Sequence, residues 1–586
     1  MTAINTTQIP SHSSPSGATV APRRHDLDAL RAFAMLLGIA LHAALAFAPI
    51  PWLAMNKETS PAIGTFIEVL HGFRLPLFFL LSGFFSAMLL QRRGATGFLG
   101  HRWKRIGLPL LLGLITIIPA MWGVILGGHA LQRQFSPPAR DWSLQANDDV
   151  TIWNAASAGD IDTVRRLALT GSSVHEPDGQ FFTLPLAWAA SGDHAEVVAF
   201  LLELGADPNQ RMGDDNTPMH TACFFGAGES AALMLDAGGD PKTPNKHGET
   251  PIDAMQHGVG VVSFISNLLG VEADFERVQS GRIEITELLA TQTGANGVKP
   301  RIRDRLKGLF TGELFMHLWF LWHLCWLTCG LVVIRLVLRG ISWNGLPEFA
   351  VATPLCLVGL LPLTTLTQSW QANFGPDTSA ALLPAMHVVL HYAVFFGFGV
   401  LMHGSAQAAD RLGRTWWLYL VVAGVSCTPA LELSHDPAAL VGYRVNAELG
   451  EWLGAFLQSV FVWTVSFGLI GLSRRVLNQP RPRIRYISDS SYWLYIAHLP
   501  IVLAGQFALM YISLPPMLEV GILTAATTVV LLLSYQWFVR YTWIGHLLNG
   551  RRVRVEAVGR CMNNDDQQPA SAVHAATPTT PRPTQQ

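Results

Sequence analysis

Arg31 and His42 stand eleven residues apart in a largely apolar run from Leu27 to Ile50. Ionisable groups inside an apolar span are costly, and they persist where they have a partner or a task. At about 100° per residue, eleven residues make three turns plus roughly 20°, so both side chains leave one helix face, about 16 Å apart along the axis. One cation then lies near a membrane surface, and one imidazole, a group that exchanges protons near neutral pH, lies at depth. That pairing suits a site entered from one side of a bilayer and operating toward the other. Arg31 has a plain alternative: it can snorkel and pair with Asp28 three residues earlier.

Other side chains suit the same site. Arg74 lies in Phe73-Arg74-Leu75-Pro76-Leu77-Phe78-Phe79-Leu80-Leu81-Ser82-Gly83-Phe84. If this run crosses in the opposite sense to the first, Arg74 lies about 12 Å below the outer surface and His42 about 22 Å above the inner one. In a core about 30 Å thick those depths nearly coincide. His317, His387, His391 and His498 fall in the middle or outer half on the same estimate. Each has an alternative reading as a helix-to-helix hydrogen-bond donor. His387 and His391, four apart, could ligate a metal, but no third ligand stands at a suggestive spacing, so no metal is expected. Arg102 and Arg105 share a face at a helix start, where the macrodipole favours anions. A phosphate-bearing ligand from the cytoplasm fits there; the competing reading is ordinary cytoplasmic-side charge.

The elements that must position these residues are long apolar helices. The chain has 586 residues, half hydrophobic and 14% charged, with a net charge of −1. Its mean hydropathy is positive, as for a polytopic membrane protein. A balanced charge gives no reason to expect nucleic acid as a partner. The six cysteines form no CxxC pair, and Cys325 and Cys329 read as buried small hydrophobes. Ten spans are expected: Leu27–Ile50, Phe66–Leu90, Ile106–Gly127, Leu314–Leu338, Phe349–Thr367, Ala381–His403, Trp416–Leu433, Trp452–Leu472, Ser490–Tyr511 and Leu518–Val539. Short loops rich in Arg and Lys alternate with loops nearly free of them, which places both termini and the basic loops in the cytoplasm of a multi-pass inner-membrane protein. The basic run Arg301–Lys307 opposes this orientation, but it ends a long insert, and long segments cross largely regardless of charge. No cleavable signal peptide is evident; 1–22 and 561–586 read as disordered tails, and the first span as its own insertion signal.

Between the third and fourth spans the chain turns soluble and repetitive. Thr217-Pro218-Met219-His220 and Thr250-Pro251-Ile252-Asp253 follow Leu184-Pro185-Leu186-Ala187 at a period of 33 residues, and Gly205-Ala206-Asp207-Pro208 recurs as Gly238-Gly239-Asp240-Pro241. This period with its TPLH-like start resembles ankyrin repeats. The fold expected is therefore all-α: a transmembrane bundle over 23–128 and 311–550, an ankyrin solenoid over 145–275, and a linker over 276–310. By parity the solenoid lies in the periplasm. It could bind a protein partner on its concave face or serve as a spacer.

The Arg31-x10-His42 helix, the Phe78-Phe79-Leu80-Leu81-Ser82-Gly83 run and the Arg102-x-x-Arg105 pair resemble the motifs of the acyltransferase 3 family of membrane acyltransferases. His317-Leu318-Trp319-Phe320-Leu321 and Ser491-Tyr492-Trp493-Leu494-Tyr495-Ile496-Ala497-His498-Leu499-Pro500 are similar to its branch that succinylates periplasmic glucans. The resemblance covers the spans and not the insert. It implies a catalytic His42, an acyl-CoA donor held by Arg102 and Arg105, and no bound cofactor. The expected reaction is transfer of an acyl group, succinyl or acetyl, to a hydroxyl of a saccharide or other acceptor at the outer face, with Arg31 and Arg74 assisting His42. His317, His387, His391 and His498 are further candidates. Two other readings fit the residues: a non-catalytic anchored ankyrin receptor or scaffold, and a haem or metal redox protein using the intramembrane histidines.

Overall fold

The computed structural model describes residues 24–48, 52–54, 60–135, 151–293, 314–340 and 346–549, apart from gaps of one to three residues inside these stretches. The expected tails, Arg301–Lys307 and the basic run Arg551–Arg554 lie outside the described residues.

Helix α1 (His25–Ala44) opens with Asp26 and Asp28 in its first turn, where the helix dipole favours carboxylates. Asp26 is fully buried between Arg24, at 2.8 Å, and Arg474, at 3.7 Å; Arg474 also reaches Asp410 at 2.7 Å. Helix α2 (Pro61–Arg102) begins with Pro at a position where a missing N–H is harmless. It is interrupted at Gly94, whose φ of 67° and ψ of 179° are not helical. The chain then passes a turn of π-helix, Trp103–Gly107, into α3 (Leu108–Phe135). Arg102 at the start of this return bonds Ser86 on α2, while Met121 and Ile125 further along pack against the Trp52 region after α1. So α3 runs back against the helix Pro482–Leu509 and toward the segment that follows α1.

Beyond the insert come α12 (Trp319–Val337), α13 (Glu348–Ala352), α14 (Cys356–Gln368), α15 (Met386–Gly404), α16 (Ala408–Leu412), α17 (Trp416–His435), α18 (Ala447–Val476), α19 (Pro482–Leu509), α20 (Pro516–Ser534) and α21 (Trp543–Asn549). A two-residue hairpin, Ala439–Leu440 with Tyr443–Arg444, joins α17 to α18. Helix α1 is central, touching α2, α18, α19 and α20. Exposed apolar side chains such as Ile115, Val358 and Val425 cover the rim, as lipid-facing surfaces require.

Among the described residues, eight helices are long and apolar enough to cross a membrane. One of them, Pro61–Gly128, contains both the second and third expected spans, divided at Gly94. The fifth expected span, Phe349–Thr367, is not a single helix. Thr353 is extended because it precedes Pro354, so α13 stops there. Helix α14 has thirteen residues, about 20 Å at 1.5 Å per residue, short of a core about 30 Å thick.

Where α2 crosses α15 the backbones nearly touch. A methyl on Gly83 would strike the Phe396 carbonyl, and one on Gly399 would strike the Leu80 carbonyl. Small residues permit such close crossings, and this one fixes Phe78 and Ser82 of α2 against the bundle interior.

The insert is a helical solenoid. Its pairs are α4 (Ile152–Ala158) with α5 (Ile161–Leu169), α6 (Pro185–Ser191) with α7 (Ala195–Glu203), and α8 (Pro218–Phe225) with α9 (Gly228–Asp236), followed by α10 (Pro251–Ala254). The Thr-Pro starts are capping boxes: Thr217 with His220, and Thr250 with Asp253. One apolar core runs through the stack, from Ile152 through Val198 and Cys223 to Met234. Part of the expected linker is helical: α11 (Phe275–Thr293) sets Ile285 and Leu289 into that core. Arg282 of α11 donates to the carbonyls of Phe224 and His257, tying it to the stack.

Candidate active site

Two cavities of about 420 Å³ each lie in succession along α1. The first takes Gly38, Leu41 and His42 from α1, His71 and Arg74 from α2, His317 just before α12, and His498 from α19. The second takes Arg31 from α1, Ser82 from α2, Arg102 and Arg105 from the return, and Ser488, Asp489 and Tyr492 from α19. Met35, Phe78, Phe320 and Tyr495 line both, so these four side chains form the wall between a histidine chamber and an arginine chamber.

In the histidine chamber every ring has one nitrogen engaged by a backbone carbonyl. His42 Nδ1 lies 2.8 Å from the Gly38 carbonyl, one turn back on its own helix. A carbonyl only accepts, so Nδ1 carries the proton of the neutral ring and Nε2 keeps its lone pair. His498 Nδ1 likewise donates to the Tyr495 carbonyl at 2.7 Å, leaving a buried Nε2 with no hydrogen-bond partner. His317 Nε2 donates to the Ile496 carbonyl at 3.1 Å, leaving Nδ1 buried and unpartnered. The His42 and His498 rings meet edge to face at 4.9 Å, and those of His498 and His317 at 5.5 Å. His71 donates to the Pro376 carbonyl at 2.8 Å.

Arg74 is the cation of this chamber. Its Nε is buried with no hydrogen-bond partner, and a terminal nitrogen of its guanidinium lies against Gly38. Only a residue without a side chain lets the guanidinium sit there. No carboxylate pairs with Arg74 among the described residues, so its field is directed at whatever enters the chamber.

Further side chains hold the arrangement. Gln506 donates to the His42 and Ala43 carbonyls at 2.8 and 3.3 Å, satisfying two carbonyls at the end of α1. Its own oxygen accepts from Trp52 at 3.0 Å, and Trp52 faces the His42 ring at 6.2 Å. The Tyr495 hydroxyl donates to the His317 carbonyl at 2.6 Å, linking the dividing wall to the histidine chamber.

In the arginine chamber Arg102 donates to Ser86 at 2.7 Å and stacks over Phe98. Its Nε is buried and unpartnered. Arg31 lies 3.6 Å from Asp28 and over the Phe85 ring, and still lines the chamber. Three arginines and His101 face one carboxylate, Asp489, so the chamber favours an anion.

Seven of the candidate residues thus line the two chambers. His387 and His391 line neither: His391 is buried against Thr367 at 3.1 Å, and half-exposed His387 faces Asp377 at 3.8 Å. Among the described residues no cluster of three or more His, Cys, Asp or Glu is placed to hold a metal ion. The residues missed from sequence are His71, Tyr495, Ser86, His101, Trp52 and Gln506. His71 carried a signal, since it stands one turn before Arg74 on the same helix face; Trp52 and Gln506 carried none.

An apolar helix bundle with an imidazole chamber and a cationic chamber in succession along one helix suits an anionic ligand. The family model described as an acyltransferase domain matches residues 24–143 and 261–536, and that of ankyrin repeats, three copies, matches 152–245. The chain belongs to the acyltransferase 3 family and carries an ankyrin insert. Curated relatives named "Glucans biosynthesis protein C" are similar to part of it. The one from Escherichia coli strain SMS-3-5 is 37% identical over 94 residues, 16% of this chain and 24% of the relative. That of Salmonella typhi is 38% identical over 98 residues, with the same shares. The chain therefore matches about a quarter of the length of these relatives.

Proposed function

We propose that the protein takes an acyl group from acyl-CoA on the cytoplasmic side of the inner membrane and passes it to a hydroxyl of a saccharide or other acceptor at the outer face. The observation that carries this reading is the succession of a cationic and an imidazole chamber along one helix. Arg31 and His42 are eleven residues apart, about 16 Å at 1.5 Å per residue. Thirteen bonds separate the phosphate of CoA from its sulfur, roughly 15 Å at the reach of about 3.4 Å per three backbone bonds. Phosphates held by Arg102, Arg105 and Arg31 therefore leave the thioester level with His42.

There Nε2 of His42 takes the proton of the acceptor hydroxyl as its oxygen attacks the thioester carbonyl. The oxyanion forms beside Arg74, whose unpaired guanidinium is already in place. The carbon–sulfur bond then breaks, and the proton passes from His42 to the departing sulfur. The same Nε2 could instead carry the acyl group between two such steps. The relatives' names support a saccharide acceptor, and the alternation of basic loops supports the orientation, with both termini cytoplasmic and the insert periplasmic. In that position the insert would hold an acceptor or a protein partner near the outer opening.

The test is His42→Ala in proteoliposomes loaded with acyl-CoA. Turnover should fall by roughly 10²–10⁴-fold, the worth of a positioned general base, with membrane insertion unchanged. Near-normal turnover by the folded variant overturns the mechanism.

A further inference from the structure

A third cavity, of about 600 Å³, adjoins the arginine chamber and shares His101 and Arg105 with it. It is also lined by Arg93, Gly97, Gly100, Lys104 and His546, and among the described residues no acidic one lines it. Arg93, Arg102 and Arg105 all lie close enough to His101 to act on its charge. Neither Arg93 nor Lys104 has an ion-pair partner among the described residues. Like charges gathered on one wall repel one another, and an anion between them relieves that repulsion.

The backbone around this cavity is open as well. The break at Gly94 separates Arg93 from the following helical turns and lets the segment from Gly97 to Arg105 face it. Gly97 and Gly100, three residues apart, lie on one helix face. A side chain at Gly100 would meet nothing within 4 Å and one at Gly97 only the Cβ of Arg93 at 3.2 Å, so the floor is open backbone at Gly100 and is bordered by Arg93 at Gly97. A flat group can lie on such a floor.

Acyl-CoA has what this arrangement fits. Beyond its diphosphate it carries a planar adenine and a phosphomonoester, which near neutral pH holds a charge of about −1.5 to −2. We propose that the third cavity binds the adenosine 3′-phosphate of the donor, with Arg93 and Lys104 on the phosphomonoester and the base over Gly97 and Gly100. The assignment rests on the acyl-CoA reading. It makes the 3′-phosphate a determinant of donor choice, separate from the diphosphate grip of Arg102 and Arg105. An anionic lipid headgroup offers similar phosphate chemistry, and the experiment separates the two.

The full chain is purified into neutral-lipid and anionic-lipid nanodiscs, and KM is measured for acyl-CoA and for the matching acyl-dephospho-CoA. In neutral lipid the dephospho donor should show a KM at least roughly tenfold higher, as expected for loss of charge-assisted hydrogen bonds. The double variant Arg93→Ala, Lys104→Ala should bring that ratio to about one. Gly100→Leu, favourable for a helix, should raise KM for both donors by filling the floor. Independently of turnover, adenosine 3′,5′-bisphosphate should raise the Tm of the wild type more than adenosine 5′-phosphate does, and the difference should vanish in the double variant. Equal KM values for the two donors in the wild type, or an unchanged ratio in the double variant, overturn the proposal. A defect seen only in anionic lipid, with the ratio unchanged, assigns the cavity to a lipid headgroup and overturns it too. Failure of the wild type to use any CoA thioester removes the proposed function instead, and the Tm comparison still decides the subsite.

Discussion

Gly38→Ala should separate the chemistry from the fold. Gly38 is in mid-helix, and its carbonyl fixes the proton of His42 on Nδ1. A methyl at this position would stand 2.5 Å from a terminal nitrogen of Arg74, against 3.4 Å for ordinary contact, so the guanidinium must retreat by about 1 Å. Apart from the backbone of α1 itself, nothing else among the described residues lies within 4 Å of that methyl except the adjoining guanidinium carbon. The helix itself gains, since Ala is better than Gly in a helix interior by about 0.5–1 kcal/mol. Catalysis loses: displacement of a reacting group by about 1 Å can cost roughly 10²-fold, and loss of an oxyanion partner costs about 10²–10³-fold in kcat. The expected result is an equal or higher Tm in detergent, kcat lower by about 10²-fold, and a nearly unchanged donor KM, because Arg102 and Arg105 lie in the other chamber. Gly83→Ala is the contrast, because its methyl meets the rigid Phe396 carbonyl and should lower Tm. Wild-type kcat in a folded Gly38→Ala protein would refute the claim that the position of Arg74 against α1 matters. Wild-type kcat in Arg74→Ala as well would remove Arg74 from the mechanism.

The remaining predictions concern donor binding, the anchoring of α1 and the side of the insert. Arg102→Ala and Arg105→Ala should each raise the donor KM more than they lower kcat, since both stand a chamber away from His42; steady-state kinetics with unchanged KM in both would make them topological charges only. Asp26→Asn should destabilise the bundle by roughly 1–3 kcal/mol, because a buried carboxylate shared by Arg24 and Arg474 is lost, with partial exposure of both arginines moderating the effect. A Tm in detergent equal to wild type would show that this ion-pair chain does not anchor α1. Lys242→Cys, at an exposed repeat position, should react with a membrane-impermeant maleimide on intact spheroplasts; reaction only after permeabilisation would place the insert in the cytoplasm.

What was legible in the sequence follows from periodicity. The 3.6-residue turn was enough to align Arg31 with His42, and opposite helix directions were enough to put Arg74 near the depth of His42. The structure sets both beside Gly38. The 33-residue period gave the repeats directly, because each unit buries its apolar face on the next. What escaped is what periodicity does not encode. A proline between two apolar stretches divided the fifth span, since Pro354 forbids helix at Thr353. His387 and His391 share a depth range with His42, but depth says nothing about which way a side chain faces around the bundle axis. The nitrogen that His317 leaves free depends on the carbonyl of Ile496, 179 residues away in the chain. Gln506, which supports the end of α1, lies 464 residues from His42. No local pattern could point to it.

The wall between the chambers bears on how a donor on one side meets an acceptor on the other without opening the membrane to ions. Phe78 and Phe320 meet edge to face at 4.7 Å, a favourable aromatic geometry that resists displacement. Tyr495 is tethered through its hydroxyl to the His317 carbonyl, so its movement would disturb the histidine chamber. Met35 is the remaining member, an unbranched side chain on α1 between Arg31 and His42, and methionine adapts its shape more readily than an aromatic ring. On the proposed reading the narrow arm of the donor passes by displacing Met35 while the three rings stay in place. The apolar wall then closes around the arm, and water from the arginine chamber is kept from the thioester. The same side chains that separate the two chambers would thus make the chemistry in one depend on occupancy of the other.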